Sequence, residues 1–208
     1  MTDLAERLDA TSVAADHAET KGERTRRRLL EIAVDRFGRR GFRATSVSEI
    51  AREAGLTQAA AYAYFDGKDA LFAAAVDTDA SDLLDQAGAQ VEATPIDVLI
   101  PTIIVVLVVG LEDHPLTKRV LAGQEPEALP RLVDLPAVER FADRIGGRLT
   151  RGQATGEVRA DIDIPVLQHG IESIVISLLM SSIQSGVALE RHQLGVVAAF
   201  DAMLRPPT

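Results

Sequence analysis

The residues best suited to bind a partner through polar groups lie close together, between positions 43 and 68. Thr45 and Ser46 stand at the start of a predicted helix, where hydroxyl groups and free amides can hold a phosphate against the helix dipole. Lys68, at the start of a later helix, adds a point charge for the same backbone. Gln58 can form a bidentate hydrogen bond with an adenine edge. These residue types, at this spacing, predict contacts with double-stranded DNA.

Catalytic and metal-binding arrangements are missing from the sequence. The chain has no cysteine, no glycine-rich loop that could cradle a phosphate, and no cluster of His, Asp and Glu at metal-ligand spacing. Its histidines are far apart in sequence: His17, His114, His169 and His192. We therefore expect a protein that is not an enzyme and that has no metal and no cofactor, with an enzyme as the minor alternative.

Charge is distributed unevenly along the chain. The formal net charge is −9, yet residues 21–68 carry eleven Lys or Arg against six Asp or Glu, so this segment has a net charge of +5 and the remainder −14. A basic segment on an acidic body is expected when one end of a protein meets a polyanion. The alternative is a solvated basic helix face.

The elements that position these side chains are indicated by caps and turns. Ser46 and Glu49 form a capping-box sequence that starts a helix at Val47. That helix ends at Gly55, and Thr57 caps a third, short helix. Two short helices joined by a glycine turn are typical of a helix-turn-helix, which places the N-terminus of its second helix in the major groove of DNA.

Apolar residues recur at helical spacing through the rest of the chain, and no alternating strand pattern is present. We therefore predict an all-α fold of about nine helices. The predicted helices span residues 23–40, 47–54, 58–65, 68–91, 98–111, 116–123, 127–152, 165–187 and 191–204.

Two further features concern location. The most apolar stretch, residues 98–111, is shorter than the roughly 20 residues that span a membrane, and it contains a proline. The first twenty residues lack the basic stretch and apolar stretch of a secretion signal. We expect a cytoplasmic protein that has no membrane partner.

The order of residues in the helix-turn-helix region is more specific than its caps. The stretches 43–51, 54–58, 62–65 and 68–71 resemble the DNA-binding domain of TetR-family regulators, and the likeness covers roughly residues 23–72. The resemblance assigns Tyr62 to the DNA backbone. The expected DNA-binding residues are Arg43, Thr45, Ser46, Thr57, Gln58, Ala59, Ala60, Tyr62, Tyr64 and Lys68.

The resemblance also implies a division of the chain. A mobile extension of residues 1–20, with no assigned function, precedes a three-helix DNA-binding domain of residues 21–67. A helical ligand-binding and dimerisation domain of residues 68–208 follows. The implied function is that of a dimeric repressor released from a palindromic operator by a small ligand. A ligand-independent DNA-binding protein and an activator of the same fold are the alternatives.

The recognition helix departs from many family members because alanines occupy positions that often hold larger or polar residues. Ala59 and Ala60 can touch a thymine methyl group, and Gln58 is left as the main reader of bases. We expect specificity to depend on Gln58, Arg43 and DNA shape. For Tyr62 and Tyr64 the alternative is half-buried packing.

The helix predicted at 165–187 has an apolar stripe too wide for one packing face, and the last helix adds a second stripe. We expect these helices to pair with those of a second copy, as the resemblance also implies. The alternative is that the stripes form the core of a single chain. The expected dimer-interface residues are Ile171, Ile174, Val175, Leu178, Leu179, Val197, Phe200 and Leu204.

A ligand site is implied by the resemblance inside the helices around residues 96–111. Its lining would be aliphatic, which favours a small lipophilic ligand over a sugar or a nucleotide. Ligand binding would favour a dimer whose recognition helices are misplaced for the operator. The candidate ligand-binding residues, each of which could instead be an ordinary surface or buried group, are Thr102, Val106, His114, Arg119, Gln124, His169 and Glu172.

Overall fold

A computed structural model describes residues 19–128, 134–185 and 193–207. Within these ranges the chain forms helices and no strand, which confirms the predicted all-α class. The nine helices are α1 (Lys21–Arg40), α2 (Val47–Glu53), α3 (Gln58–Tyr62), α4 (Gly67–Gly88), α5 (Ile96–Gly110), α6 (Pro115–Leu121), α7 (Pro136–Thr155), α8 (Ile164–Ser185) and α9 (Gln193–Leu204). Most of the predicted extension, residues 1–18, lies outside the described residues.

Helix α1 begins two residues earlier than predicted because Thr20 caps it. The Thr20 hydroxyl accepts from the Glu23 amide at 3.2 Å, and the Glu23 carboxylate accepts from the Thr20 amide at 2.8 Å. These two bonds form a capping box, which satisfies amides that a helix start leaves unpaired. Thr20, which the sequence analysis assigned to the extension, is therefore the N-cap of α1.

Two other helix boundaries differ clearly from the prediction. Helix α3 ends at Tyr62 rather than at position 65, since Ala63 to Asp66 form the turn that leads into α4. Helix α7 begins at Pro136 rather than at position 127, and a proline at the first helical position needs no hydrogen-bond acceptor. Residues 127 and 128 are in a turn, and 129–133 lie outside the described part.

The first three helices pack on the start of α4. Leu29, Ala33 and Phe37 of α1 are fully buried, and Ile50 of α2 and Leu71 of α4 close the same core. Phe37 also stacks edge-on against Phe72 with ring centroids 5.0 Å apart. Together these contacts hold α2 and α3 in a fixed orientation on the end of α4.

Helix α4 connects this N-terminal core to the helices that follow. Its 22 residues extend from Gly67 to Gly88 and contact α1 at one end and α5, α6 and α7 along the remainder. Helix α8 contacts α5, α6, α7 and α9. The core of this second region is almost entirely aliphatic and includes Leu83, Leu99, Ile103, Leu116 and Leu149.

Candidate DNA-binding surface and apolar cavity

The turn between α2 and α3 is held by local hydrogen bonds. Ser46 and Glu49 form the predicted capping box at the start of α2. The bonds from the Ser46 hydroxyl and amide hold the pKa of the Glu49 carboxyl below its ordinary value. Gly55 takes a φ of 75°, and the Thr57 hydroxyl then accepts from the Ala60 amide at 3.2 Å. The caps predicted from sequence thus fix how α3 is presented.

Helix α3 buries one side and exposes the other. Ala61 is buried in the core, whereas Gln58 and Ala59 are exposed and Tyr62 is 46% exposed. The Gln58 amide donates to the Tyr62 hydroxyl at 3.0 Å, one helical turn away. Tyr62 therefore points outward, as predicted. Tyr64 is half-buried against the core, which favours the packing alternative for that residue.

The structure corrects the phosphate contact that was predicted for Thr45. Its side chain is buried, with 2% of the residue exposed, and its hydroxyl lies 2.9 Å from the Gly41 carbonyl and 3.2 Å from the Arg36 carbonyl. A hydroxyl occupied in this way cannot reach DNA, so the predicted role of the Thr45 side chain is wrong. Its place four residues after Gly41 was the signal for this local bond.

Cations around α3 divide into paired and unpaired groups. Arg36, Arg39 and Arg40 form ion pairs with Glu53, Asp35 and Glu49. By contrast, Arg28, Arg43 and Arg52 are exposed, and none makes an ion pair within the described part of the chain. The Lys68 ammonium lies 4.3 Å from the centre of the Phe42 ring. Among the described residues, the guanidinium groups of Arg28, Arg43 and Arg52 therefore remain for an external anion.

An apolar cavity lies among α4, α5, α6, α7 and α8. It encloses about 880 Å³ of empty space, including the part that is open to solvent. Three of its lining residues are polar: Thr117, Gln168 and Glu172. The aliphatic and aromatic lining residues include Leu83, Ile100, Ile103, Leu107, Phe141, Ile145, Ile171, Val175 and Leu179.

A buried polar network lies directly behind this cavity. One oxygen of the Asp79 carboxylate, which is 4% exposed, accepts from the Thr117 amide at 2.6 Å and from the Thr117 hydroxyl at 2.7 Å. The other oxygen lies 3.1 Å from Nδ1 of His114, whose Nε2 is 3.1 Å from the Gln86 amide. The side chain of His114, the N-cap residue of α6, makes no capping bond. Asp79 of α4 caps the N-terminus of α6 instead, because it accepts from the Thr117 amide.

The predicted ligand residues are scattered relative to this cavity. Glu172 lines it, whereas His114 is buried in the network behind Thr117 and His169 is exposed. Thr102 and Val106 are half-buried on α5 and are not among the described residues that line it. The cavity borders the stretch 96–111, where the ligand site was predicted, and its other polar lining residues, Thr117 and Gln168, were not among the predicted ones.

Comparison with known proteins identifies the N-terminal region. The family model for bacterial regulatory proteins of the tetR family matches residues 29–75. Over 55 residues the chain is 47% identical to the uncharacterized HTH-type transcriptional regulator YdgC of Bacillus subtilis (strain 168); this stretch spans 26% of the chain and 28% of that relative. Residues 29–75 therefore carry the DNA-binding region of a tetR-family protein. Proteins of that family are regulators, which confirms the expectation that the protein is not an enzyme.

Several solved structures share the fold of this chain over most of its length. A tetR-family protein of Mesorhizobium loti MAFF303099 has a TM-score of 0.71 at 21% identity and covers 90% of this chain and 100% of its own. The fatty acid degradation regulator FadR of Bacillus halodurans has a TM-score of 0.66 at 17% identity, covering 85% and 94%. FadR of Bacillus subtilis in complex with stearoyl-CoA has a TM-score of 0.57 at 15% identity, covering 85% and 97%.

Arg119 and Gln124 line a second cavity, which lies between α1, α4 and the segment after α6. The Arg119 guanidinium donates to Glu125 at 2.6 Å, and Glu125 also accepts from the Phe42 amide at 3.1 Å. Arg119 therefore ties the segment after α6 to the DNA-binding region. It does not face the apolar cavity, contrary to its predicted role.

Most of the predicted dimer residues are buried within a single chain. Ile171, Val175 and Leu179 line the apolar cavity, and Phe200 and Leu204 are buried in the core, so for these five the intramolecular alternative holds. The other three predicted residues, Ile174, Leu178 and Val197, are partly buried.

The outward faces of α8 and α9 carry small residues instead. They are Ser173, Ser177, Gly195, Ala198, Ala199 and Ala202, together with Val166, which is 62% exposed. Ile164–Gln184 is also the one described helix long and apolar enough to cross a membrane, with a mean hydropathy of 1.4 and 22% of its apolar window buried. Core helices of water-soluble proteins pass the same test, so the membrane reading has weak support.

Proposed function

We propose that this protein is a sequence-specific DNA-binding transcriptional regulator that acts in the cytoplasm as a dimeric repressor and is released from a palindromic operator by a small lipophilic ligand. The observation that carries the proposal is the outward face of the capped helix α3. That face presents Gln58 and Tyr62, as a major-groove reader requires. The same N-terminal region carries exposed guanidinium groups that form no ion pair with a described residue.

Two classes of contact follow from this surface. Ser46 at the start of α2 and the unpaired Arg43 would hold phosphates, which fixes the position of the protein on DNA but reads no sequence. Gln58 would read a base edge, and Ala59 beside it could meet a thymine methyl group. Because few side chains can read bases, DNA shape would supply part of the specificity.

A second copy of the chain is supported by helix α8. Only 22% of the apolar window of this helix is buried in one chain, and incompletely buried apolar surface of that kind marks an interaction site. Small side chains on the outward faces of α8 and α9 would let two such pairs approach closely as four helices. The dimer would present its two α3 helices to half-sites about 34 to 36 Å apart.

A path from the cavity to the DNA-binding region supports ligand control. Thr117 and Leu121 of α6 line the cavity, and the opposite face of α6, with Pro115, lies against α1. The approach is close: a Cβ atom added to Gly38 of α1 would lie 3.0 Å from Pro115 Cγ of α6. A ligand that displaced α6 or α4 would therefore shift the α1–α3 unit, and ligand and operator would then oppose each other.

The test begins with selection of bound duplexes from a random pool, followed by affinity measurements at several salt concentrations. We expect a palindromic site and a steep fall in affinity with salt. The Gln58→Ala variant should lose about 1 to 3 kcal/mol of discrimination at one base pair in each half-site. Gln90→Ala, just beyond the C-terminal end of α4, is the matched control and should behave as wild type. No enriched sequence would overturn the proposal.

A further inference from the structure

The side chain of Gln58 is tied to a neighbour on the outward face of α3. Its amide donates to the Tyr62 hydroxyl at 3.0 Å, one helical turn further along the chain. With respect to the described residues, this is the only hydrogen bond that the Gln58 side chain makes. Both residues are exposed, so the bond lies on the surface that α3 would present to DNA. The proposed base reader and the tyrosine are therefore linked at that surface.

Within helix α3, Tyr62 is the one polar side chain that can restrain Gln58. Residues 59–61 between them are alanines, and the hydroxyl of Thr57, the N-cap residue, accepts a backbone amide of the first turn. A glutamine side chain rotates about several bonds and loses that freedom when it binds a base edge, which costs affinity. A bond to Tyr62 that exists before DNA binds reduces this loss.

The bond to Tyr62 leaves groups of the Gln58 amide available for a base. A glutamine amide has two hydrogens and one carbonyl oxygen, and the bond to Tyr62 uses one hydrogen. Adenine is read with one donor and one acceptor of the same amide, and these remain. The Tyr62 hydroxyl accepts in this bond, so its own proton is free for a phosphate oxygen or water. Gln58 can therefore keep its bond to Tyr62 while it reads a base.

We propose that Tyr62 is a positioning residue that determines specificity: its hydroxyl holds the Gln58 amide so that the carbonyl oxygen and the hydrogen beside it face an adenine. This inference rests on the proposed DNA-binding function and deepens it. Without the hydroxyl, Gln58 would rotate freely, and discrimination at its base pair would fall. A tyrosine that only bound phosphate would instead affect all sequences alike, because phosphate contacts carry no sequence information.

The test uses Tyr62→Phe, which removes the hydroxyl and keeps the ring. Affinities of the full-length protein are measured for the selected operator and for duplexes changed at the base pair whose discrimination Gln58→Ala abolishes. We expect the ratio of these affinities to fall about three- to tenfold in Tyr62→Phe, as the loss of one hydrogen bond implies. The ratios at operator base pairs that Gln58 does not read should stay unchanged.

A double-variant cycle separates the orientation of Gln58 from any other effect of the tyrosine. In a Gln58→Ala background, Tyr62→Phe should not change discrimination at that base pair, because no amide remains to be held. In the free protein, the NMR signals of the Gln58 side-chain amide should shift in Tyr62→Phe. Thr150→Val is the matched control, since it removes a hydroxyl that bonds one turn away to the Gly146 carbonyl on α7, and it should keep wild-type discrimination.

The outcomes separate this inference from the proposed function. If Tyr62→Phe weakens binding to the operator and to the changed duplexes by the same factor, the inference fails while base reading by Gln58 stands. A loss of discrimination from Tyr62→Phe that is equally large in the Gln58→Ala background would also overturn it, as would a Gln58→Ala protein that discriminates like wild type at every base pair. If the wild type enriches no sequence from the random pool, the proposed DNA-binding function itself fails.

Discussion

Thr45 and Ser46 are adjacent hydroxyl residues whose positions give them opposite roles. The Ser46 side chain caps α2 at the surface, where it remains close to solvent. The Thr45 hydroxyl is instead enclosed between α1 and α2 and bonds to carbonyls near the end of α1. Since a buried hydroxyl must find a partner inside the protein, Thr45 contributes to the stability of the DNA-binding region rather than to DNA contacts.

Replacement of Thr45 by valine tests this role. The side chain keeps its shape but loses the hydroxyl, and carbonyl oxygens near the end of α1 lose a donor. We expect the free energy of unfolding to fall by about 1 to 2 kcal/mol, measured by denaturant titration. The salt dependence of DNA binding should stay unchanged, because no phosphate contact is lost. A variant of wild-type stability with a shallower salt slope would contradict this role.

Residue roles were predictable where they depend on local sequence. The capping box at Ser46, the glycine turn and the outward position of Tyr62 all follow from residues within four positions of each other. The burial of Thr45 depends on how α1 packs against α2, which no local pattern specifies. Likewise, His169 and Glu172 are three residues apart on α8, and only the orientation of that helix decides that Glu172 lines the cavity.

At the scale of elements, α6 depends on another helix for its cap. Its own N-cap residue, His114, makes no capping bond, and Asp79 of α4 accepts from the backbone amide of Thr117 instead. The same carboxylate also bonds to the Thr117 hydroxyl and the His114 ring. The start of α6 is thus fastened to α4 at the point where α6 borders the cavity.

Removal of this carboxylate measures how much it contributes. In Asp79→Ala a buried amide, a hydroxyl and an imidazole lose their partner, so we expect a loss of about 3 kcal/mol in unfolding free energy. Denaturant unfolding of Asp79→Ala is compared with Asp77→Ala on the same helix, where one carboxylate oxygen has no partner among the described residues. Asp77→Ala should cost much less. Equal losses in the two variants would contradict the capping role.

A change at Asp79 also tests whether α6 takes part in ligand control. If α6 transmits the state of the cavity to α1, loosening its attachment to α4 should reduce the effect of a ligand on operator affinity. We expect a smaller ratio of operator affinities without and with a saturating ligand in Asp79→Asn, which keeps one acceptor oxygen and the side-chain shape. An unchanged ratio would show that the coupling passes through α4 alone.

At the scale of the whole molecule, the charges are segregated. The basic segment of residues 21–68 forms α1 to α3 and the turn into α4. In the described residues that follow, which form the cavity-bearing helices, acidic residues outnumber basic ones. A net charge of −9 therefore coexists with a positive end, which favours approach to DNA by that end. This asymmetry could be counted from the sequence, since the α1–α3 unit is contiguous in the chain.

The pairing of copies was harder to predict because α8 is apolar around most of its circumference. Periodicity identifies an apolar helix but cannot say which stripe meets the same chain and which meets a partner. The large residues Ile171, Val175 and Leu179 turned inward, toward the cavity. The surface left for a second copy consists of small side chains, which carry a weak sequence signal.

A charge placed on that surface tests the dimer. Ser177 is exposed near the middle of α8, and in Ser177→Glu a symmetric interface would bury two uncompensated carboxylates. We expect the dimer to weaken by about 3 kcal/mol or more, a rise of at least about a hundredfold in its dissociation constant, measured by analytical ultracentrifugation. Operator affinity should fall with it, because one chain reaches only one half-site. Ala154→Glu, which adds the same charge on the exposed side of α7, should leave both unchanged. A Ser177→Glu protein that remains a dimer and binds the operator normally would place the interface on another face.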